Sequence, residues 1–308
     1  MATIMAARPT DTPEKRANKK RRRHLPTIYF WLLLPAAAVV AVFTLWPILR
    51  TLFLSFHELR ASGEATWTGL DNYTRMIDDG DFWQAARVTV VFLVCGVLVQ
   101  LVLAWTLALL LENRVARLNT VLRTVFAIPM MLSPVVIGIC WRALLNPQYG
   151  WVNWLLGTKD AVWTGDPDRA LWVLIAVDAW QWTPFLFLMI TAGLVGIPDE
   201  IIEAARLDGA GALQVFMRIK LPLMLPVMLV GILLRAVDST KVFELPFNLT
   251  SGGPGNATTT VAIFMYRRAF AEWDQGYASS LAVTIIAALV LFAFAFIRLL
   301  RSVEKAVS

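Results

Sequence analysis

Six long apolar runs constrain this chain more tightly than any motif it carries. They fall at 28–56, 88–111, 124–141, 170–198, 221–234 and 275–297. Within them only Arg50 and Asp178 are charged, and the fifth run continues through Arg235, Asp238 and Lys241. A helix needs about 20 residues to cross the hydrocarbon of a bilayer, and each run supplies that length or approaches it. Backbone in lipid must satisfy its own N–H and C=O groups, so these runs are expected to be helices. None shows the period-two alternation that a membrane barrel requires. Composition agrees: 16% of the residues are charged, against about 25% in soluble domains. The expected fold class is therefore an all-α membrane protein with six transmembrane helices.

Lys and Arg set the orientation of such a bundle. The N-terminal tail holds eight of them, from Arg8 to Arg23. Placing it in the cytoplasm also places loops 112–123 and 199–220 and the C-terminus there, and that side then carries 17 of the 28 basic residues. The reading is multi-pass, with both termini cytoplasmic. Its parts are a basic cytoplasmic tail (1–27), a transmembrane domain (28–300) and a cytoplasmic C-terminus (301–308). The apolar run after the tail is too long for a signal peptide and lacks a small-residue cleavage site, so the tail is expected to be retained. Because the net charge of +6 sits in this tail and in short loops, no nucleic-acid partner is expected.

Catalytic material is sparse. His24 and His57 stand alone, while Cys95 and Cys140 lie inside apolar runs, so neither a metal site nor a disulfide is expected. No GxxxxGK[ST] loop occurs, so the chain is not expected to hydrolyse ATP itself.

One moderately polar segment, 198–222, interrupts the oily sequence between the fourth and fifth runs. Pro198-Asp199-Glu200 reads as a helix start, with acids at the positive end of the dipole. Ile201, Ala204, Ala205 and Leu207 give it a narrow apolar side, and Gly209 and Gly211 break it. Leu213, Phe216, Met217 and Ile219 resume helical spacing before Leu221-Pro222 restarts the chain into the membrane. Two short helices with an elbow are expected across the cytoplasmic face. Any long loop can form a surface helix, but Ala204 and Ala205 beside Glu203 favour a docking knob. Small residues permit close approach, and a carboxylate can pair with a partner's base or N–H.

The same residues match EAA-x3-G-x9-I-x-LP through Glu203-Ala204-Ala205, Gly209, Ile219 and Leu221-Pro222. This pattern resembles the signature of permease subunits of binding-protein-dependent ABC importers. Further likeness is to the carbohydrate, maltose-permease-like branch and runs from about residue 30 to 300. It includes Gly69-Leu70-Asp71-Asn72-Tyr73, Thr183-Pro184-Phe185, Ala192-Gly193-Leu194, and Leu249 to Pro254 followed by Thr258-Thr259. The resemblance implies that Glu203, Ala204, Ala205, Asp208 and Gly209 form a coupling helix gripped by an ATPase subunit. It also implies a second homologous permease, two ATP-binding subunits carrying ATP and Mg, an extracytoplasmic solute-binding protein, a sugar substrate and residence in a bacterial inner (cytoplasmic) membrane.

Ionisable groups in a membrane mark functional candidates. Arg235 is expected near the midplane of the fifth span. Asp238, three positions on, is placed for a same-face pair, and Lys241 and Glu244 extend the ladder. Arg235 and Asp238 either neutralise each other or also line a wet path. In the fourth span, Asp178, Trp180, Gln181 and Trp182 surround Pro184, close to its outer end. Carboxylates and amides suit sugar hydroxyls and indoles suit sugar C–H faces, whereas simple interfacial anchoring also accounts for the tryptophans. The resemblance assigns sugar contacts to the positions of Trp180, Gln181, Phe185, Arg235, Ser239 and Val242. Arg235 and Val242 depart from the small or amide residues expected there, which opens the way to a different substrate, an anionic one included. The alternatives by function are an importer permease for another solute, such as glycerol phosphate or amino acids, and an ion-coupled secondary transporter using Arg235, Asp238 and Asp178.

Overall fold

The computed structural model describes residues 26–59, 64–112, 116–158 and 161–307. Apart from Pro26 and Thr27, the basic tail lies outside them. The chain divides into two compact units between Phe53 and Leu54. The first contains a single described helix, α1, Pro26–Leu54, with Pro35 and Pro47 inside it. Proline withholds an N–H from the helical ladder. Large apolar side chains such as Leu33, Val40, Phe43 and Trp46 are exposed along α1, as on a helix made for lipid.

The second unit opens with a short antiparallel hairpin, β1 (His57–Leu59) against β2 (Ala65–Trp67), with His57 opposite Trp67. Gly69 follows at φ 62°, a left-handed turn that glycine adopts without steric cost. Helix α2 (Asp71–Asp78) then begins. Its buried Asn72 donates to the Ser55 and His57 carbonyls at 3.0 and 3.1 Å, and the Tyr73 hydroxyl donates to Ser55 Oγ at 2.8 Å. The Gly-Leu-Asp-Asn-Tyr motif is therefore a turn plus a staple that fixes α2 on the hairpin.

The remaining elements are helical. They are α3 (Gly80–Glu112), α4 (Ala116–Met131), α5 (Pro134–Leu144), α6 (Trp151–Leu156), α7 (Pro167–Leu194), α8 (Asp199–Leu207), α9 (Ala212–Val215), α10 (Leu221–Thr240), α11 (Glu244–Thr250), α12 (Val261–Tyr266) and α13 (Gln275–Val307). Among the described residues, five helices are long and apolar enough to cross a membrane: Trp31–Leu54, Gly80–Leu111, Pro167–Leu194, Ala212–Thr240 and Gln275–Ser302. The third apolar run differs from expectation. It is not one helix but two, Arg123–Met131 and Pro134–Leu144, bent 98° to each other, and it makes a sixth crossing only as a broken span. The cause is local: Pro134 disfavours helical backbone in the residue before it, and Ser133 is extended at φ −62°, ψ 135°.

The polar segment also differs from expectation. Helix α8 starts and ends as the sequence implies, but no second free-standing helix follows. α9 passes through a π turn (Phe216–Lys220) directly into α10. A proline can neither donate to nor comfortably approach the carbonyl four residues back, and the π turn widens the backbone just before Pro222. At the C-terminus, α13 runs on through Val307, so 301–308 does not form a separate element as far as that residue.

Three apolar clusters hold the second unit together. In the first, Ala104 and Ala108 of α3 admit Leu186, Phe187 and Ile190 of α7, with Met224 of α10 beside them. Small residues let membrane helices approach closely. Gly193 of α7 faces Met224, and Gly231 of α10 faces Leu186 and Met189. The second cluster joins Phe92, Ile137, Leu174 and Leu249, so that α5 and α11 pack onto α3 and α7. The third joins Met76, Phe82, Phe264, Tyr277 and Leu281, where α2, α3, α12 and α13 meet. A polar latch edges this third cluster: the Tyr277 hydroxyl donates to Asp79 Oδ2 at 2.7 Å, and Arg268 lies 3.4 Å from the same oxygen.

Candidate functional site

Helices α3, α7 and α10 each carry one buried polar residue to a common point. α7 is capped by the Asp166 side chain, which accepts from the Asp168 N–H at 2.9 Å, and Pro167 occupies its first turn. That start places Asp178 about three turns into the helix, near mid-length rather than near an end as expected. On α10, Arg235 lies about four turns past Leu221 and meets Asp178 at 2.8 Å.

The Arg235 guanidinium donates to Gln100 Oε1 at 2.9 Å, to Asp178 Oδ2 at 2.8 Å and to Asp238 Oδ2 at 2.8 Å. Gln100 closes the ring by donating to Asp178 Oδ2 at 2.7 Å. The Trp182 ring lies 4.8 Å from the guanidinium carbon, within cation–π range. Gln100, Asp178 and Arg235 are all 2% exposed or less. An isolated charge there would cost many kcal/mol, and the ring is what makes its burial tolerable. The same-face pair read from the sequence, Arg235 with Asp238, is present, but Asp178 and Gln100 complete it from two other helices.

A cavity of about 360 Å³ opens beside this knot. Its walls include Asp178, Gln181, Trp182, Arg235, Asp238, Ser239, Lys241, Val242, Phe243 and Glu244. Lys241 stands 3.6 Å from Asp238 Oδ1. The break in the third run contributes directly: Pro134 lines the cavity, and the carbonyl of Leu132 accepts from Gln181 Nε2 at 3.2 Å. Gln181 is 1% exposed and its Oε1 has no hydrogen-bond partner among the described residues.

Six of the path residues read from the sequence thus converge: Asp178, Gln181, Arg235, Asp238, Ser239 and Val242. Two do not reach the cavity. Trp180 is partly exposed and packs edge-on against Trp141, while Phe185 packs against the first apolar cluster. Sequence reasoning missed Gln100, although an amide centred in an uncharged apolar run is the available signal.

The coupling residues form a separate exposed group. Glu203, Ala204 and Ala205 lie on α8, none of whose side chains is buried. Asp208 caps the helix, and Gly209 takes φ 85°. The N–H groups of Gly209 and Ala210 donate to the carbonyls of Arg206 and Ala205, each at 3.0 Å, a Schellman ending that calls for glycine at this position. Leu207 is 89% exposed at its tip.

Comparison with known proteins gives these two sites a setting. Residues 100–308 match the family of binding-protein-dependent transport system inner membrane components. The trehalose/maltose transport system permease MalF of Thermococcus litoralis is 32% identical over 273 residues, covering 87% of this chain and 92% of that protein. The sulfoquinovosyl glycerol permease SmoG of Agrobacterium fabrum is 32% identical, covering 88% and 89%. The trehalose permease SugA of Mycobacterium tuberculosis is 30% identical, covering 88% and 87%. A chain of the bacterial ABC transporter that imports the acidic polysaccharide alginate superposes with a TM-score of 0.78 over 93% of this chain and 99% of its own, at 20% identity, a likeness of fold. The match over most of its length, together with the relatives aligned nearly end to end, identifies this chain as a member of the binding-protein-dependent transport system inner membrane component family, an integral-membrane transport permease.

Proposed function

We propose that the chain is the permease subunit of an ATP-driven sugar importer and that its solute passes the cavity beside Arg235. The observation that carries this reading is the cavity itself. In a bundle of apolar helices it gathers carboxylates, a buried amide acceptor and two aromatic rings, Trp182 and Phe243. Such a surface suits the hydroxyls and C–H faces of a sugar. The names of the trehalose and maltose relatives support the same substrate class. An ion-coupled secondary transporter does not fit membership of a binding-protein-dependent family.

The assembly proposed has a second homologous permease, two ATP-binding subunits that carry ATP and Mg, and an extracytoplasmic binding protein. A periplasmic protein of this kind is bound to the alginate transporter in a structure similar in fold. The cytoplasmic side holds the tail at 1–27, the segment 198–222 and the C-terminal residues 301–308, with 28–300 as the membrane domain. Exposed α8 is the handle gripped by an ATPase subunit, with Glu203, Ala204, Ala205, Asp208 and Gly209 at the contact. Closure of the ATPase pair on ATP moves that handle and rocks the permease halves to alternate access to the cavity.

Reconstituting the complex with its binding protein tests this. Sugar-stimulated ATP hydrolysis is expected, and Glu203→Lys should abolish the stimulation while leaving the chain inserted. Undiminished stimulated hydrolysis in that variant counts against the assignment.

A further inference from the structure

We infer that the cavity selects uncharged polyhydroxyl solutes over anionic ones, and that Asp238 sets this preference. A buried arginine on a transport path suggests an anion site when read from sequence. The geometry reverses that suggestion. Arg235 is 2% exposed, and its Nε, Nη1 and Nη2 donate to Gln100, Asp238 and Asp178 respectively. Asp178 is as buried as Arg235, so the member of the knot that a solute meets is Asp238. Asp238 has 43% of its side chain exposed, and Glu244 is exposed. Lys241 is exposed but lies 3.6 Å from Asp238. Three carboxylates, Asp178, Asp238 and Glu244, therefore face two cations, Arg235 and Lys241, and the walls keep a net negative charge.

The two exposed carboxylates, Asp238 and Glu244, are acceptors. A hydroxyl entering the cavity can donate to Asp238 or Glu244 and recover what it loses by leaving water. A carboxylate or sulfonate brings only acceptors and a like charge, and the exposed ammonium it meets, Lys241, already lies beside Asp238. The substrate class rests on the import reading, but the charge of the cavity is measurable without transport.

The test uses the assembled importer carrying Val242→Cys, with Cys95 and Cys140 replaced by alanine. Val242 lines the cavity. The thiol is modified with two methanethiosulfonates of similar size, one bearing trimethylammonium and one bearing sulfonate, and each rate is normalised to that with a free small thiol. The cationic reagent is expected to react about tenfold faster, the order given by one net charge in partly screened surroundings. Asp238→Asn should bring the two rates close to parity, and Lys241→Gln should widen the gap. Equal or faster reaction with the sulfonate overturns the inference. So does a ratio unmoved by Asp238→Asn, or no modification in any nucleotide state. Loss of sugar-stimulated hydrolysis bears on the import reading and leaves the charge measurement standing.

Discussion

Arg235 has three partners, and only one of them was legible in the sequence. Asp238 lies on the same face three residues on, a spacing that any helix converts into proximity. Asp178 lies 57 positions away and Gln100 lies 135 away, and their meeting with Arg235 depends on how three helices cross. The knot is expected to be costly to break and less costly to replace as a whole. Arg235→Met leaves Asp178 a buried carboxylate without its cation, and the purified complex should lose about 3–5 kcal/mol of stability, seen as a lowered Tm. The double variant Asp178→Leu with Arg235→Met should recover most of that loss, because it removes both charges together. A double variant as unstable as the single one would mean that the ion pair is not the source of the effect.

At the scale of elements, two prolines explain where the chain departs from uniform helices, and one glycine explains where two helices touch. Ser133-Pro134 breaks the third run, and the break lends both a wall and a carbonyl contact to the cavity. That proline signal was present in the sequence, but the unbroken hydropathy across it suggested one helix. Pro222 is absorbed by a π turn instead of starting a new helix. Gly138 of α5 packs so closely on α11 that an added Cβ would lie 2.8 Å from Asn248 Cβ. Gly138→Leu should therefore separate α5 from α11 and cost about 1–3 kcal/mol, read as a lower Tm of the purified chain. Gly138→Ala should cost less.

The latch around Asp79 belongs to this scale too. Burial alone would raise its carboxyl pKa, but the Tyr277 hydroxyl, the Phe82 and Asp81 N–H groups and Arg268 together hold it below the ordinary 3.8. A value lowered on folding means that the latch stabilises fully above that ordinary value and fades as pH falls through the lowered one. Wild type should thus exceed Asp79→Asn in Tm at neutral pH, with the difference closing below about pH 4. A constant difference across that range would remove the charge of Asp79 from the explanation.

For the whole molecule, the proposed handle on α8 is a contact made with another subunit. α8 packs Ile202 against the first apolar cluster, leaves Glu203, Ala204 and Leu207 exposed, and ends in a glycine turn, as a docking element should. A cysteine at Ala204 or Ala205 is expected to crosslink to a nucleotide-hydrolysing subunit in the assembled complex. Its failure to capture such a neighbour, or labelling of these positions from the exterior, would remove the proposed handle.

The sequence by itself determined the helical class, the apolar segments, the α8 boundaries and the same-face Arg235–Asp238 pair. Each follows from local rules, namely the length of an apolar run, a proline near a helix start, a glycine past its end and the pitch of one helix. Only the tertiary structure decided the entry of Gln100 and Asp178 into the knot and the turning of Trp180 and Phe185 away from the cavity. Those outcomes depend on helix rotation and crossing. These are set by where small residues such as Ala104, Ala108, Gly193 and Gly231 let backbones approach, and no single segment carries that information.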